Sequence, residues 1–441
     1  MKARVSAGLY RALVIVVVLF RVCLPRGHAT TYWGDVQFLK ELKGSVEPGS
    51  VRPGSCLASW DFSIDPCDSL FGDKFTCGFR CDESLAGSSE TRRVTEIALD
   101  QAGYSGTISS LPWGLPTYLQ TIDLSGNSFN GRIPDSLSAL HQLTRLSLSG
   151  NSFSGGIPES VSSLSALQEL YLDNNALEGM VPPSLVRLTR LTRLDVQSNR
   201  LWGELPDLSS MSSLLYLDAS NNVISGKVPT GFPPSIIQIT MRNNQLQGPV
   251  PQNLQSLTSL QVLDLSHNLL VGPVPFSLFT HPSLQQLTLS NNALDSIPSP
   301  GPFYPIPMPT SALVSVDLSN NSIRGVLPMF LATMPMLSAL DLEDNMLTGM
   351  IPVQYAIKAV LGGGAGVSRF ERLFLGGNYL FGPIPSPLMG MKVGGGGGGS
   401  AGDVRLGDNC LYRCPASFFF CGGGRQKTTE ECKKMFGPSI P

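Results

Sequence analysis

The chain has few charged residues and few histidines, and both features narrow the range of functions that the sequence allows. Of its 441 residues only 15% are charged, the formal net charge is −2, and there are four histidines. So small a net charge does not favour nucleic acid or an anionic membrane as a partner. There is also no H-E-x-x-H, G-x-S-x-G, phosphate-loop or kinase motif. The sequence therefore predicts no enzymatic activity, no cofactor and no metal site.

Long apolar runs are missing beyond the first residues of the chain. Basic residues precede an apolar run at 12–20, and the small residues Gly27 and Ala29 follow, which is typical of a secretory signal peptide. That run is too short to cross a bilayer, and no later run approaches the roughly 18 apolar residues that a membrane helix needs. We expect residues 1–29 to be removed, no membrane span, and an extracellular protein.

Cysteine is absent from the whole middle of the chain. Of nine cysteines, Cys23 falls in the signal peptide and the other eight form two groups of four: Cys56, Cys67, Cys77 and Cys81, then Cys410, Cys414, Cys421 and Cys432. Even groups at both ends of an exported chain predict disulfide-bonded caps. Zinc is disfavoured because neither group contains histidine or paired C-x2-C knuckles. Each group allows three pairings; in the first we favour Cys67–Cys77 enclosed by Cys56–Cys81.

One asparagine returns through the middle of the chain at intervals of mostly about 24 residues. Its occurrences are Asn127, Asn151, Asn175, Asn199, Asn222, Asn244, Asn268, Asn292, Asn321, Asn345 and Asn378. Before each asparagine, apolar residues alternate with outward polar ones as on a half-buried strand, for example Leu146 and Leu148. Such a period predicts a solenoid of about twelve coils over 94–387, with the strands stacked in parallel.

The asparagine side chain suits the interior of such a coil. A sharp turn after each strand leaves backbone groups without a ladder partner, and each buried unpaired group costs about 1–3 kcal/mol. An amide side chain offers both donors and an acceptor for those groups. We therefore interpret the eleven asparagines as an internal polar ladder and not as a ligand site.

The pattern L-x-x-L-x-L-x-x-N-x-L-x-G-x-I-P resembles the plant-specific extracellular leucine-rich repeat. It is legible at 143–158, 167–182, 191–206, 260–275 and 337–352. Residues 36–46 and 58–68 resemble the N-terminal cap of that family, an amphipathic helix followed by a cysteine-stapled segment. The resemblance implies an α/β solenoid, a plant-type superhelix with a parallel β-sheet on its concave face. It also implies a second strand on the G-x-I-P side of each coil and disulfide-bonded caps at both ends.

The expected domain order follows from these features. Residues 1–29 form the signal peptide, 30–93 the N-terminal cysteine cap, 94–387 the repeats, 388–405 a Gly-rich linker and 406–441 the C-terminal cysteine cap. Three stretches depart from the repeat. The proline-rich 296–310 predicts a stiff surface excursion, 357–370 an insertion, and the glycine run 394–400 a flexible segment.

Binding residues are expected at the outward strand positions, which stand side by side on the concave face. Tyrosine and arginine, which are enriched at binding hot spots, concentrate in the third to seventh coils. The candidates are Arg145, Glu169, Tyr171, Asp173, Arg193, Asp195, Tyr216, Asp218 and Arg242. The alternative is an ordinary solvated sheet face, with contacts elsewhere. A column of aspartates along the sheet is likewise interpreted as solvated surface; its members are Asp195, Asp218, Asp264, Asp317 and Asp341.

Smaller features complete the expectations. Asn320 begins the one N-x-S/T sequon, which falls beside the ladder, and is the predicted glycosylation site. His141 and His281 are expected on the surface, and His267 at the edge of the sheet.

The function expected from the resemblance is that of a secreted leucine-rich-repeat protein. It would recognise a protein or peptide partner at the cell surface or cell wall, in signalling or defence. A receptor kinase ectodomain and a pathogen enzyme are the partner classes considered. Two alternatives stay open: an inhibitor of a pectin-degrading enzyme, and a structural cell-wall protein.

Overall fold

A computed structural model describes residues 30–82, 91–298, 311–362, 366–391 and 402–436, except 413 and 416. The predicted signal peptide, the glycine run 394–400 and most of the proline-rich stretch lie outside the described residues. The domain boundaries expected from the sequence stay a prediction.

Short strands, thirteen from successive coils and two (β1 and β2) from the N-terminal cap, stack into a 15-stranded main sheet. Its strands in spatial order are β1 (Thr30–Thr31), β3 (Thr91–Ala98), β5 (Thr121–Asp123), β7 (Arg145–Ser147), β9 (Glu169–Tyr171), β11 (Arg193–Asp195), β13 (Tyr216–Asp218), β15 (Gln238–Thr240), β17 (Val262–Asp264), β19 (Gln286–Thr288), β21 (Ser315–Asp317), β23 (Ala339–Asp341), β25 (Arg372–Phe374) and β27 (Asp403–Arg405). These strands pair in parallel, whereas β2 (Gly78–Asp82) pairs antiparallel with β3. The middle residue of each strand points inward, so Leu146 and Leu170 are fully buried.

A second strand follows on the G-x-I-P side of most coils, as the resemblance implied. These strands form smaller sheets and are β4 (Ser105–Thr107), β6 (Ser128–Gly131), β8 (Ser152–Gly155), β10 (Ala176–Gly179), β12 (Arg200–Gly203), β14 (Val223–Ile224), β16 (Gln247–Gly248), β18 (Leu269–Pro273), β20 (Ala293–Ser296), β22 (Arg324–Val326), β24 (Met346–Thr348), β26 (Phe381–Pro383) and β28 (Cys410–Tyr412). The fold class predicted from the sequence, a plant-type solenoid with its parallel sheet on the concave face, is confirmed.

Helical segments close the opposite side of the coils and the two ends. The α-helices are α1 (Trp33–Ser45), α2 (Cys56–Ser59), α3 (Phe276–Phe279), α4 (Met329–Thr333), α5 (Val353–Val360), α6 (Ser386–Met389) and α7 (Thr429–Phe436). The 3-10 helices are Pro48–Ser50, Asp135–Ala139, Glu159–Ser163, Pro183–Arg187, Gln252–Ser256 and Phe419–Gly424. The insertion expected at 357–370 begins inside α5, which buries Tyr355, Ala356 and Ala359 against the core.

The asparagines make the internal ladder that was predicted. The Asn151 amide donates to the carbonyls of Leu124 (2.9 Å), Leu148 (3.1 Å) and Ser149 (3.1 Å), and its Oδ1 accepts from the Phe129 N–H (2.9 Å). Each of the other ten ladder asparagines spans two neighbouring coils in the same way. One side chain therefore satisfies backbone groups in its own turn and in the turn before it.

One further coil follows the repeats that were expected to end at 387. Strand β27 extends the main sheet, and Asn409 repeats the ladder with bonds to the carbonyls of Leu375, Leu406 and Gly407. The Asn409 Oδ1 accepts from the Leu380 N–H at 3.1 Å. The end of the expected linker, 403–405, and the start of the expected cap are therefore parts of a twelfth asparagine-bearing coil.

The residue before each ladder asparagine adopts a left-handed backbone conformation. Its φ lies between 52° and 67° in all twelve coils, whether it is glycine, as at Gly150, or a side-chain residue such as Asn174 or His267. Asparagine tolerates this conformation better than most residues. The turn thus explains why this position holds asparagine in five of the coils.

The disulfide pairing favoured for the N-terminal cap is wrong. The structure joins Cys56 to Cys77 and Cys67 to Cys81, with Cα–Cα distances of 5.0 and 5.9 Å. The Trp60 indole donates to the Cys77 carbonyl (2.9 Å), which holds that residue beside α2, where Cys56 begins the helix. Cys81 lies opposite β3, and the Cys67 carbonyl is bound there by Arg92 (2.9 Å). In the C-terminal cap the pairs are Cys410–Cys432 and Cys414–Cys421.

His281 was expected on the surface, and this is also wrong. It is fully buried, and its Nδ1 accepts from the backbone N–H of Leu284 (3.1 Å) and Ser283 (3.3 Å). The imidazole thereby accepts hydrogen bonds from the turn that follows α3. The repeat pattern predicts an exposed residue at this position and therefore does not reveal that role. His141 is exposed, as expected.

Candidate functional site

Eight of the nine predicted binding residues lie on or directly after four adjacent strands of the main sheet, from β7 to β13, and Arg242 lies further along, after β15. Register pairing places Glu169 directly between Arg145 and Arg193 on the neighbouring strands. The same pairing places Tyr216 beside Arg193. The outward positions are thus brought together into one continuous surface.

Arg145 is the centre of a charged and aromatic contact network. Its guanidinium pairs with the Glu169 carboxylate, lies 3.7 Å from that of Asp123, and stacks over the Tyr171 ring at 4.6 Å. The Arg145 side chain is 37% exposed, so the cluster is accessible. Next to it, the Ser149 hydroxyl donates to Asp173. Pairing and stacking hold the guanidinium in one orientation, which lowers the entropy lost when it binds.

A second arginine–tyrosine stack lies two strands along. The Arg193 guanidinium stacks over the Tyr216 ring at 4.3 Å. We call the surface made by Arg145, Glu169, Tyr171, Arg193 and Tyr216 the arginine–tyrosine cluster. It presents flat aromatic rings and fixed cations together, as protein-binding surfaces do.

Arg242 does not belong to this cluster. It lies at one end of a separate open cavity of about 290 Å³ over the later strands, here called the C-terminal cavity. Asp317 and Asp341 line its middle, and Arg372 and Phe374 its other end. Arg372 and Phe374 were not among the predicted residues, although "RLF" at 372–374 occupies the same outward positions as "RLD" at 193–195. The position of these two residues within the repeat could therefore have identified them as outward-facing candidates.

Three members of the aspartate column, Asp195, Asp218 and Asp341, are less solvated than was expected. Burial raises the pKa of Asp195 to about 6, and the neighbouring Asp173 carboxylate adds to the rise. Burial likewise raises the pKa of Asp218, and the pKa of Asp341 to about 6. Carboxylates that stack on adjacent strands are partly shielded from water and lie near like charges, so the ionised form of each is destabilised. Asp195, Asp218 and Asp341 therefore take up a proton more readily than exposed aspartates do.

Asn320 lies at the rim of the main sheet and is exposed, with its backbone N–H bonded to the Glu343 carbonyl at 2.9 Å. Its glycosylation stays a prediction. Within the described ranges no group of three or more His, Cys, Asp or Glu residues is placed to hold a metal ion. In that same part of the chain, no helix is long and apolar enough to cross a membrane.

Models of the leucine-rich repeat match several parts of the chain. One, "Leucine rich repeat", matches residues 157–201, and another, "Leucine Rich Repeat", matches 118–140, 142–164, 259–280 and 312–334. A probable leucine-rich repeat receptor-like serine/threonine-protein kinase of Arabidopsis thaliana is 32% identical over 96 residues, which cover 20% of this chain and 9% of that protein.

Solved plant receptor structures match over a larger part of the chain. The structure of PEPR1 with AtPEP1 has a TM-score of 0.68 and 27% identity, and the match covers 86% of this chain and 48% of that one. The plant peptide hormone receptor RGFR1 in complex with RGF2 has a TM-score of 0.62 and 26% identity, covering 72% of this chain and 48% of that one. This chain therefore spans about half the length of these receptor chains, and much less of the kinase.

Proposed function

Because the chain is a leucine-rich-repeat protein of the plant extracellular type, we propose that it binds a peptide or protein ligand on its concave face. The arginine–tyrosine cluster is the proposed contact surface. The observation that carries the proposal is the stacking of Arg145 on Tyr171 and of Arg193 on Tyr216, at 4.6 and 4.3 Å, on an accessible part of the sheet.

The chemistry of the cluster supports a macromolecular ligand. Stacked tyrosine and arginine offer a large contact area at a small cost in side-chain entropy. Glu169 lies between the two arginines, so the surface presents both signs of charge within two strands. Mixed charge of this kind selects a partner with complementary charges. The shallow, open sheet favours an extended peptide or a protein surface over a small molecule, whose sites are concave and enclosing.

The similar receptors support the same ligand class. PEPR1 is seen with AtPEP1, and the peptide hormone receptor RGFR1 in complex with RGF2. For this chain, a role in signalling or defence at the cell surface or in the apoplast is part of the proposal. The predicted signal peptide and the disulfide-bonded caps are consistent with that location. A receptor kinase ectodomain and a pathogen enzyme are the two partner classes proposed.

The test is to capture partners from apoplastic fluid with the tagged protein and to measure their affinity for purified variants. The variant Arg145→Ala/Arg193→Ala/Tyr216→Ala removes both stacks. We expect it to bind the captured partner at least about tenfold more weakly, a loss of about 1.4 kcal/mol or more.

A matched control removes two arginines and one aromatic residue from elsewhere. Arg187, Arg190 and Trp202 are exposed residues outside the main sheet, and their triple alanine variant should bind normally. Equal binding by the concave-face variant and this control would refute the proposed surface. Capture of a pectin-degrading enzyme that the protein inhibits would instead support the inhibitor alternative, and retention in the wall after salt extraction would support the structural one.

A further inference from the structure

A second cavity lies at the C-terminal end of the concave face, where two successive coils have glycine instead of an outward side chain. The position two residues before each ladder asparagine holds Ser, Asp, Gln, Arg or Glu in the ten coils from Ser125 to Glu343. In the last two coils it holds Gly376 and Gly407. The resulting space, about 460 Å³, is here called the glycine notch.

A side chain at these positions would fill the notch. A Cβ on Gly376 would lie 3.0 Å from the Glu343 carboxylate and 3.2 Å from the Gly407 carbonyl. The backbone of Gly376 does not have a positive φ, so the position does not require glycine for its conformation. What restricts a side chain at Gly376 is therefore the nearby Glu343 carboxylate and Gly407 carbonyl, and not the backbone conformation.

The walls of the notch combine carboxylates with an aromatic ring. Its lining includes Glu343 and Asp344 together with the half-buried Phe419 of the C-terminal cap. Among the described residues no hydrogen-bond donor reaches the Glu343 carboxylate, and its nearest cation is Arg405, at 3.9 Å. That arginine is shared, because it also pairs with Asp403 at 3.3 Å and stacks over Phe374 at 4.0 Å.

Carboxylates outnumber cations among the residues that line the notch: four, of Glu343, Asp344, Asp403 and Asp408, against two, of Arg405 and Arg425. Lys427, which is paired with Asp408 at 2.7 Å, is not among the lining residues. Glu343 is faced by Asp341, Asp344 and Asp403 as well as by Arg405, and burial followed by the Asp341 charge raises its pKa to about 7. A bound cation would offset this repulsion.

We propose that the glycine notch binds one arginine side chain of a peptide or protein partner. A guanidinium carries several donors in one plane, which suits the Glu343 and Asp344 carboxylates together. Its flat face can stack on an aromatic ring such as Phe419. The inference deepens the proposed function and rests on it for the kind of partner, but the notch lies several coils away from the arginine–tyrosine cluster.

The test uses two short peptides with the full chain, at pH 8, where Glu343 is ionised. The probes are acetyl-Gly-Arg-Gly-amide and its citrulline counterpart, which has nearly the same shape and no charge. Ligand-observed NMR titration measures the two dissociation constants. We expect the arginine peptide to bind at least about tenfold more tightly than the citrulline peptide.

Three variants locate the binding. Glu343→Gln removes the charge and Gly376→Gln fills the notch with the residue that Gln197 provides in an earlier coil; both should lose the preference for arginine. Ser290→Gln places the same residue at the same coil position outside the notch and should keep the preference. Thermal unfolding checks that each variant folds.

Two results would overturn the proposal: equal binding of both peptides, or an unchanged preference in Glu343→Gln and folded Gly376→Gln. The variant Arg145→Ala/Arg193→Ala/Tyr216→Ala should bind the arginine peptide as the parent protein does. Failure of the notch is therefore distinguishable from failure of the proposed concave-face function.

Discussion

Asn151 shows how much of the coil depends on one side chain. It satisfies three backbone carbonyls and the Phe129 N–H, all in two adjacent turns. Alanine would leave these groups unpaired, so we expect Asn151→Ala to lower the free energy of unfolding by about 1–3 kcal/mol. Chemical denaturation measures the loss. Ser152→Ala, at the exposed next position, should change it by less than about 0.5 kcal/mol, and equal effects of the two substitutions would contradict the ladder role.

His281 predicts a loss of stability in mild acid. Burial lowers the pKa of its imidazole, and protonation would remove the Nδ1 acceptor used by the Leu284 N–H. The unfolded chain then binds the proton more readily than the folded one. Stability from this group is fully present above the ordinary pKa of about 6.5 and falls as the pH drops below it.

The measurement for His281 is the free energy of unfolding between pH 7.5 and 5, compared with His281→Leu. The difference between the two proteins should shrink as the pH falls, because only the parent loses stability through this group. A difference that stays constant across the range would show that the imidazole does not titrate as expected.

At the scale of secondary-structure elements, a buried ion pair links α1 to β3. The Arg93 guanidinium donates to Asp35 at 2.9 and 3.0 Å, the Val94 N–H donates to the same carboxylate at 2.9 Å, and the Asp35 side chain is fully buried. The guanidinium also lies between the rings of Tyr32 and Tyr118, at 4.2 and 4.0 Å. One cation thus links α1 to the first strands of the sheet, in addition to the pairing of β1 and β2 with β3.

Removing that cation should destabilise the cap strongly. Arg93→Met leaves a buried carboxylate without its partner, and we expect a loss of about 3–5 kcal/mol in the free energy of unfolding. Arg80→Met is the matched control, because the Arg80–Glu96 pair is exposed and should contribute at most about 1 kcal/mol. Denaturant unfolding followed by circular dichroism compares the two variants. Similar small losses in the free energy of unfolding would show that Arg93 does not hold α1 against β3.

The elements also show what could be predicted from the sequence. The alternation of Leu146 and Leu148 and the return of Asn151 reflect forces within one coil, so strand, turn and ladder were all predictable. The pairing of Cys67 with Cys81 depends on how a loop packs against β3, which no local pattern records. The burial of His281 results from the packing of the turn after α3, which the residue pattern of its own coil does not predict. Asn409 was missed because the glycine run before it hides the start of the twelfth asparagine-bearing coil.

The proposed binding surface was likewise predictable only in part. Regular register along the sheet made Arg145, Glu169 and Arg193 neighbours, as the spacing predicted. The stacking of the two arginines on tyrosine depends on rotamers that spacing does not specify. Phe419 enters the glycine notch from the cap, so its proximity to Glu343 could not follow from the repeat.

At the scale of the whole molecule, the parallel register of the coils aligns like charges along the concave face. Asp341 pairs in register with Asp317 on one side and with Phe374 on the other. The pKa of Asp341, raised by burial to about 6, exceeds the usual value of about 3.9. The folded protein therefore holds this proton more tightly than the unfolded chain, and ionisation at neutral pH destabilises the fold.

The sign of this effect is opposite to that of His281. As the pH falls from about 7 towards 4, protonation of Asp341 adds stability, and below about 4 both states are protonated and the gain is complete. An asparagine side chain is neutral at every pH, so we expect Asp341→Asn to raise the melting temperature at pH 7 and to change it little at pH 4. The Glu343 N–H, which now donates to Asp341 at 2.9 Å, can donate to the amide oxygen instead. Calorimetry at both pH values measures the change, with Asp73→Asn at an exposed position as the control. An equal shift at pH 7 and pH 4 would show that burial does not raise the pKa of Asp341, and that the solenoid tolerates this carboxylate as ordinary solvated surface.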